Sequence, residues 1–160
     1  MRIYKFGGAS VKDASGVKNV AQIIAERGKN DLLVVVSAMG KTTNSLEKLI
    51  SAAYNKSAEV SELLLSVKMT HLSIVKELFN EDEVMYFNEI ENLFLELECM
   101  IENEQLLEDY DFLYDQVVGF GELISTRIIS GYLLKIGVRN QWVDARNFII
   151  TDSRHRDARV

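Results

Sequence analysis

The chain has 160 residues, 48% of them apolar, enough for one compact domain or one lobe of a larger one. Its 24 carboxylates against 18 Lys and Arg leave a net charge of −6, which argues against a nucleic-acid-binding surface. No stretch approaches the roughly 20 apolar residues of a membrane span, and the N-terminus lacks the charged-then-apolar pattern of an export signal, so a cytoplasmic location away from membranes is the expectation. The one cysteine, Cys99, cannot form an internal disulfide and reads as filler in a core or on a helix flank.

Arg2 to Phe6 reads as a strand that runs into Gly7-Gly8-Ala9-Ser10. A strand delivering a Lys and two glycines to the start of a helix suits a phosphate cradle. Glycines let backbone N–H groups approach phosphate oxygens, and Lys5 adds a mobile positive charge. The same spacing also fits a plain turn, and it matches neither G-x-x-x-x-G-K-[ST] nor G-x-G-x-x-G. Val17, Val20 and Ile24 give a helix between Asp13 and Arg27, with Gly28 placed to stop it. Leu32 to Val36 is a β-branched apolar run, as in a parallel strand covered on both faces. A parallel βαβ unit is the natural connection. Thr43 or Asn44 is then placed to cap a helix carrying Leu46, Leu49, Ile50 and Ala53.

From about 57 to 107 the apolar spacing is helical, through Val60, Leu63, Leu64 and Val67, then Leu72, Val75, Leu78 and Phe79, then Ile90, Leu93, Phe94, Leu97 and Ile101. This predicts a helical insertion or hairpin beside the sheet, because no heptad survives the charged break at Glu81-Asp82-Glu83. That cluster and Glu102-Asn103-Glu104 read as solvated turns and helix ends. The chain has no proline, which suits uninterrupted helices. A further helix is predicted from Phe112 or Asp115 to Gly137, then a strand over Val138 to Val143 with Asp144-Ala145-Arg146 at its end. Open α/β sheets bind ligands at the C-terminal ends of their strands. Three polar clusters are predicted there: Lys5 to Ser10, Ser37 to Asn44, and Asp144 to Arg146.

These residues also carry a resemblance. Lys5-Phe6-Gly7-Gly8-Ala9-Ser10-Val11 resembles the K-F-G-G-T-S-V opening of the aspartate kinases, of the amino-acid kinase fold family. Val34 to Asn44, Gly119-Phe120-Gly121-Glu122-Leu123-Ile124-Ser125-Thr126 and Trp142 to Asp152 resemble further blocks of that family in the same order. Ala9 departs from it where Thr is common, and His155 stands where Phe is usual. The resemblance implies an α/β three-layer sandwich of the carbamate kinase-like kind, with residues 1–160 as the N-terminal lobe of a catalytic domain and the helical stretch as an insertion. In that family a second half of the catalytic domain and regulatory ACT domains follow, so this chain by itself is expected to be inactive. Exposed edges meant for the missing half favour a homo-oligomer.

The implied reaction moves the γ-phosphoryl group of ATP, with Mg²⁺, to the side-chain carboxylate of L-aspartate, at the head of lysine, threonine and methionine synthesis. By position, Lys5, Gly7, Gly8 and Ser10 would hold phosphates, with Lys5 catalytic, and Ser37 would lie beside the nucleotide. Thr43 and Glu122 would bind aspartate, Glu122 through the ammonium group. No residue here is assigned to a metal. Read without the resemblance, Glu122 is a solvated helix carboxylate, Thr43 an N-cap, Ser37 and Ser125 turn and helix residues, and Lys41 an exposed loop cation. His71 and His155 lack ligand spacing, and Asp144 and Arg146 suit a mutual pair. Another carboxylate or carbamate kinase of the same fold, or a noncatalytic dimerising or regulatory module, are the other functions the sequence admits.

Overall fold

In the computed structural model, Leu32–Val36 (β2) lies parallel to Arg2–Phe6 (β1), with Ile3 opposite Leu33, Lys5 opposite Val35 and Phe6 opposite Val36. The structure describes residues 1–27, 31–81 and 83–159. The predicted stop at Gly28, Asp82 of the acidic cluster and the terminal Val160 therefore lie outside the described residues. Six α-helices lie among those residues, α1 Ala14–Arg27 between the strands and then α2 Thr42–Tyr54, α3 Val60–Leu78, α4 Val84–Glu102, α5 Tyr110–Val118 and α6 Phe120–Lys135. Short 3₁₀ turns at Gly8–Val11, Leu106–Glu108 and Ala145–Asn147 join them.

The crossover from β1 to β2 runs through α1, which starts where Oδ1 of Asp13 accepts the N–H of Gly16 at 2.8 Å. Val17, Val20 and Ile24 are buried as the helical spacing requires. Alternation then divides the sheet. Phe6, Val34 and Val36 pack into the core, whereas Ile3, Leu33 and Val35 are exposed. The expectation that β2 is covered on both faces is thus corrected for this chain: helices cover one face, and the apolar composition of the strand exceeds what they bury.

Helical periodicity over 57–107 holds, since α3 buries Val67, Leu72, Val75 and Leu78 and α4 buries Ile90, Phe94, Leu97 and Ile101. Cys99 is exposed on α4, a flank position and not a core one. The ammonium of Lys135 in α6 donates to the Leu78 carbonyl at 2.8 Å and pairs with Glu83 at 2.7 Å, closing the C-terminus of α3 with a cation as the helix dipole favours.

The long helix predicted from Phe112 or Asp115 starts earlier and is interrupted. Asp109 accepts the N–H groups of Asp111 and Phe112 at 3.0 and 3.1 Å, so the cap lies before Tyr110. Gly119 separates α5 from α6 while keeping near-helical angles of φ −66° and ψ −14°. Contrary to the expectation that no stretch approaches a membrane span, the run Tyr110–Lys135 is long and apolar enough to cross one by length and composition, and half of its most apolar window is buried in the fold. Its apolarity has a local cause. α6 lies against β2 and the other five helices, and a helix packed on all sides needs no polar face.

The predicted strand over Val138 to Val143 is absent: the segment carries no strand pairing. Its polar groups are spent on α6 instead. Asn140 accepts from the Ser130 hydroxyl at 2.7 Å and donates to the Ser130 carbonyl at 3.1 Å, and the Trp142 indole N–H donates to Thr126 at 3.0 Å. The Arg127 guanidinium covers the Trp142 ring at 3.5 Å. An extended segment becomes a strand only beside a free edge, and these anchors run it along a helix.

Candidate functional site

The ends of β1 and β2 are tied together beyond their ladder. Ser37 donates its N–H to the Phe6 carbonyl at 3.0 Å, and Gly40 donates to the Gly8 carbonyl at 3.0 Å. The two loops approach so closely that a Cβ on Gly8 would lie 2.5 Å from the Ala38 carbonyl oxygen. Only glycine fits that backbone contact. Gly7 differs: its φ of −78° is open to any residue, and a Cβ there would meet nothing within 4 Å. Ser10 donates its N–H back to the Gly7 carbonyl at 2.9 Å, and its side chain is exposed.

The start of α6 closes the second side of the loops. A Cβ on Gly121 would stand 2.8 Å from that of Ala38, so the helix reaches the loop because residue 121 has no side chain. This approach lets Oε1 of Glu122 accept the Ala38 N–H at 3.2 Å, and the Ser125 hydroxyl donates to the Ser37 carbonyl at 2.9 Å. Glu122 is exposed and lies in the first turn of α6, where the helix dipole favours a carboxylate. One carboxylate oxygen is held by the loop. The other can accept from a cation or an N–H donor.

The third side is α2. Thr43 and Asn44 do not cap it, contrary to expectation, because the helix already starts at Thr42. The Thr42 hydroxyl turns back to the Met39 carbonyl at 2.6 Å and sits 3.1 Å from Nε2 of buried His71. Thr43 is half-buried on the first turn, and Lys41 is exposed beside it. Lys5 is exposed on the bare face of the sheet, opposite Val35. The structure therefore brings Gly8, Ser37 and Glu122 to one junction through bonds to intermediate residues: Gly8 to Gly40, Ser37 to Phe6 and Ser125, and Glu122 to Ala38. Lys5, Ser10 and Thr43 flank that junction with no hydrogen bond to Glu122 among the described residues.

The third predicted cluster stands apart. Arg146 forms a forked pair with Asp144, at 2.6 Å at its shortest, and that hydrogen bond holds the Asp144 carboxyl below the usual range. Among the described residues neither side chain bonds to the other two loops, because the strand that would have carried them to the sheet does not form. His155 lies 3.4 Å from Asp115, and among the described residues no group of three or more His, Cys, Asp or Glu side chains is placed to hold a metal ion. The close approach of Gly121 to Ala38, the Ser125–Ser37 bond and the Thr42–His71 contact escaped sequence reasoning. The available signal was a small residue and a hydroxyl four apart on α6, which fall on one helix face.

The chain matches the family model of the amino acid kinase family over residues 1–160. It is 39% identical over 163 residues to aspartokinase 1, chloroplastic, of Arabidopsis thaliana, covering 94% of this chain and 26% of that protein. With the bifunctional aspartokinase/homoserine dehydrogenase 2 of Escherichia coli (strain K12) it shares 29% over 148 residues, covering 92% of this chain and 18% of that protein. Among solved structures it is similar to E. coli aspartokinase III in complex with lysine and aspartate, with a TM-score of 0.85 and 28% identity over 99% of this chain and 34% of that one. The same enzyme in complex with aspartate and ADP matches with a TM-score of 0.85 and 29% identity. The chain thus spans between about a sixth and a third of the length of these relatives.

Proposed function

The chain belongs to the amino acid kinase family, and from that premise we propose that it supplies the aspartate-binding and part of the phosphate-binding apparatus of an aspartate kinase. The reaction is transfer of the γ-phosphoryl group of ATP to the side-chain carboxylate of L-aspartate, the first step toward lysine, threonine and methionine. The observation that carries this reading is the junction of two loops at the C-terminal ends of two parallel strands, with Glu122 anchored to one of them by a single oxygen.

Phosphoryl transfer asks little covalent chemistry of a protein; catalysis is positioning and charge neutralisation. Two anions must be brought together. Glu122 offers its free oxygen to the ammonium group of aspartate, and a charge-assisted bond there fixes the substrate by the end that does not react. Thr43, one residue from the anchored Thr42, adds a hydroxyl. Gly8 is glycine for packing, whereas nothing in the fold requires glycine at Gly7. The open space above Gly7 fits the approach of phosphate oxygens to backbone N–H groups, with Ser10 and Ser37 beside it. Lys5 supplies positive charge toward the transferring group. Mg²⁺ would be held mainly by the nucleotide's phosphates and would neutralise their charge, a mode that calls on few protein carboxylates.

Glu122→Gln in the catalytically competent protein tests the proposal. Loss of a charged hydrogen bond is expected to raise the aspartate KM about ten- to a hundredfold and to leave the ATP KM within about twofold. Aspartyl phosphate is trapped as its hydroxamate, with each substrate varied at saturation of the other. Equal effects on both KM values, or an effect on ATP alone, would withdraw Glu122 from the aspartate site.

A further inference from the structure

His71 is a polar side chain in the middle of α3, only 1% exposed and packed against the Phe94 ring. Such a group must find partners within the protein. Nδ1 lies 2.8 Å from the Val67 carbonyl one turn earlier, and because a carbonyl only accepts, Nδ1 carries the proton. Burial favours the neutral ring, so Nε2 faces the Thr42 hydroxyl as an acceptor. The hydroxyl has one proton for two acceptors, Nε2 at 3.1 Å and the Met39 carbonyl at 2.6 Å, and shares it between them as a three-centre bond; the same carbonyl also accepts the Thr42 N–H at 2.9 Å.

The Met39 carbonyl is the other half of the peptide unit whose N–H is that of Gly40. A planar peptide turns as one body. Holding the Met39 oxygen toward Thr42 therefore aims the Gly40 N–H at the Gly8 carbonyl, which is the contact that spaces the two loops. Met39 also follows Ala38, whose N–H is taken by Glu122. A line of contacts thus runs from the backbone of α3 through His71, Thr42 and the Met39–Gly40 peptide to Gly8.

We propose that His71 is a positioning residue for the Ser37–Thr43 segment, acting through the Thr42 hydroxyl to set the Gly40–Gly8 contact. The importance of that segment for substrate rests on the function proposed above. The hydrogen bonds of His71 go to Thr42 and Val67 and not to either loop glycine, so its effect is on geometry alone.

Amide hydrogen exchange of the 160-residue chain, followed residue by residue by NMR, tests this with an internal reference. Gly40 reports the loop contact and Ile128, buried in α6, reports global opening. Thr42→Val removes the hydroxyl, and His71→Asn keeps a donor toward Val67 but cannot reach Thr42. Each is expected to lower Gly40 protection about tenfold relative to Ile128. Thr42→Ser and His71→Gln, which keep a polar atom in place, should stay within about threefold of the parent chain. Equal loss at Gly40 and Ile128 would make His71 an ordinary core residue, and unchanged Gly40 protection in Thr42→Val would overturn the coupling outright. Should His71→Asn not fold, Thr42→Val decides alone. Selective loss at Gly40 with unaltered aspartate KM in the active protein would leave the coupling standing and remove the aspartate site from this loop.

Discussion

The hydroxyl of Ser125 donates to the carbonyl oxygen of Ser37 across 88 residues of sequence, at 2.9 Å. Ser125 is wholly buried among the apolar residues of α6, so the bond has no competition from water on its donor side. It seats the helix that carries Glu122 on the loop that follows β2. Ser125→Ala removes one oxygen and leaves the Ser37 carbonyl without this partner, at an expected cost of about 1–2 kcal/mol. Urea unfolding of the chain measures it, and a midpoint equal to that of the parent would mean that the contact contributes nothing.

Neighbouring glycines should separate by role. Gly8→Ala drives a Cβ into a backbone oxygen at 2.5 Å, and forced loop displacement of this kind costs about 1–3 kcal/mol. Gly7→Ala meets no neighbour and should leave the thermal midpoint unchanged or slightly raised. Its expected defect is in nucleotide affinity. Normal ATP KM in a well-folded Gly7→Ala enzyme would return that position to a plain turn.

Lys5 makes no ion pair among the described residues and its exposed side chain carries no visible structural duty. Lys5→Ala should therefore be close to neutral for stability while lowering kcat of the competent kinase by about a hundredfold or more, the scale of a single electrostatic stabiliser. Unaltered kcat with intact folding would take Lys5 out of the phosphate site.

Stability should depend on pH through His71. Its folded-state pKa is lowered, chiefly by burial, while in the unfolded chain it titrates near 6.5. Below that value the unfolded state binds the proton that the folded state refuses, so stability is complete above about pH 6.5 and declines from there as pH falls toward the folded pKa. Thermal midpoints of the parent and His71→Gln, compared from pH 8 to 5, isolate this contribution. Identical slopes for the two proteins would show that His71 does not titrate differently on unfolding.

Residues that lie close together in sequence were readable. The helical stripes of α1, α3 and α4 each record burial on their own element, because a period of 3.6 is a local consequence of which face meets the core. The four ordered blocks carried the family for the same reason, being short and contiguous. Tertiary structure decided what depends on a distant partner. Val138 to Val143 has the composition of a strand, yet Ser130 and Thr126 capture its polar groups before any sheet edge does. Leu33 and Val35 are apolar without being covered. The approach of Gly121 to Ala38, with the Glu122 and Ser125 bonds it permits, joins positions 84 and 88 residues apart, and hydrogen bonds closed over such separations leave no period in the chain. Local pattern states which face of an element is buried; only packing determines against what.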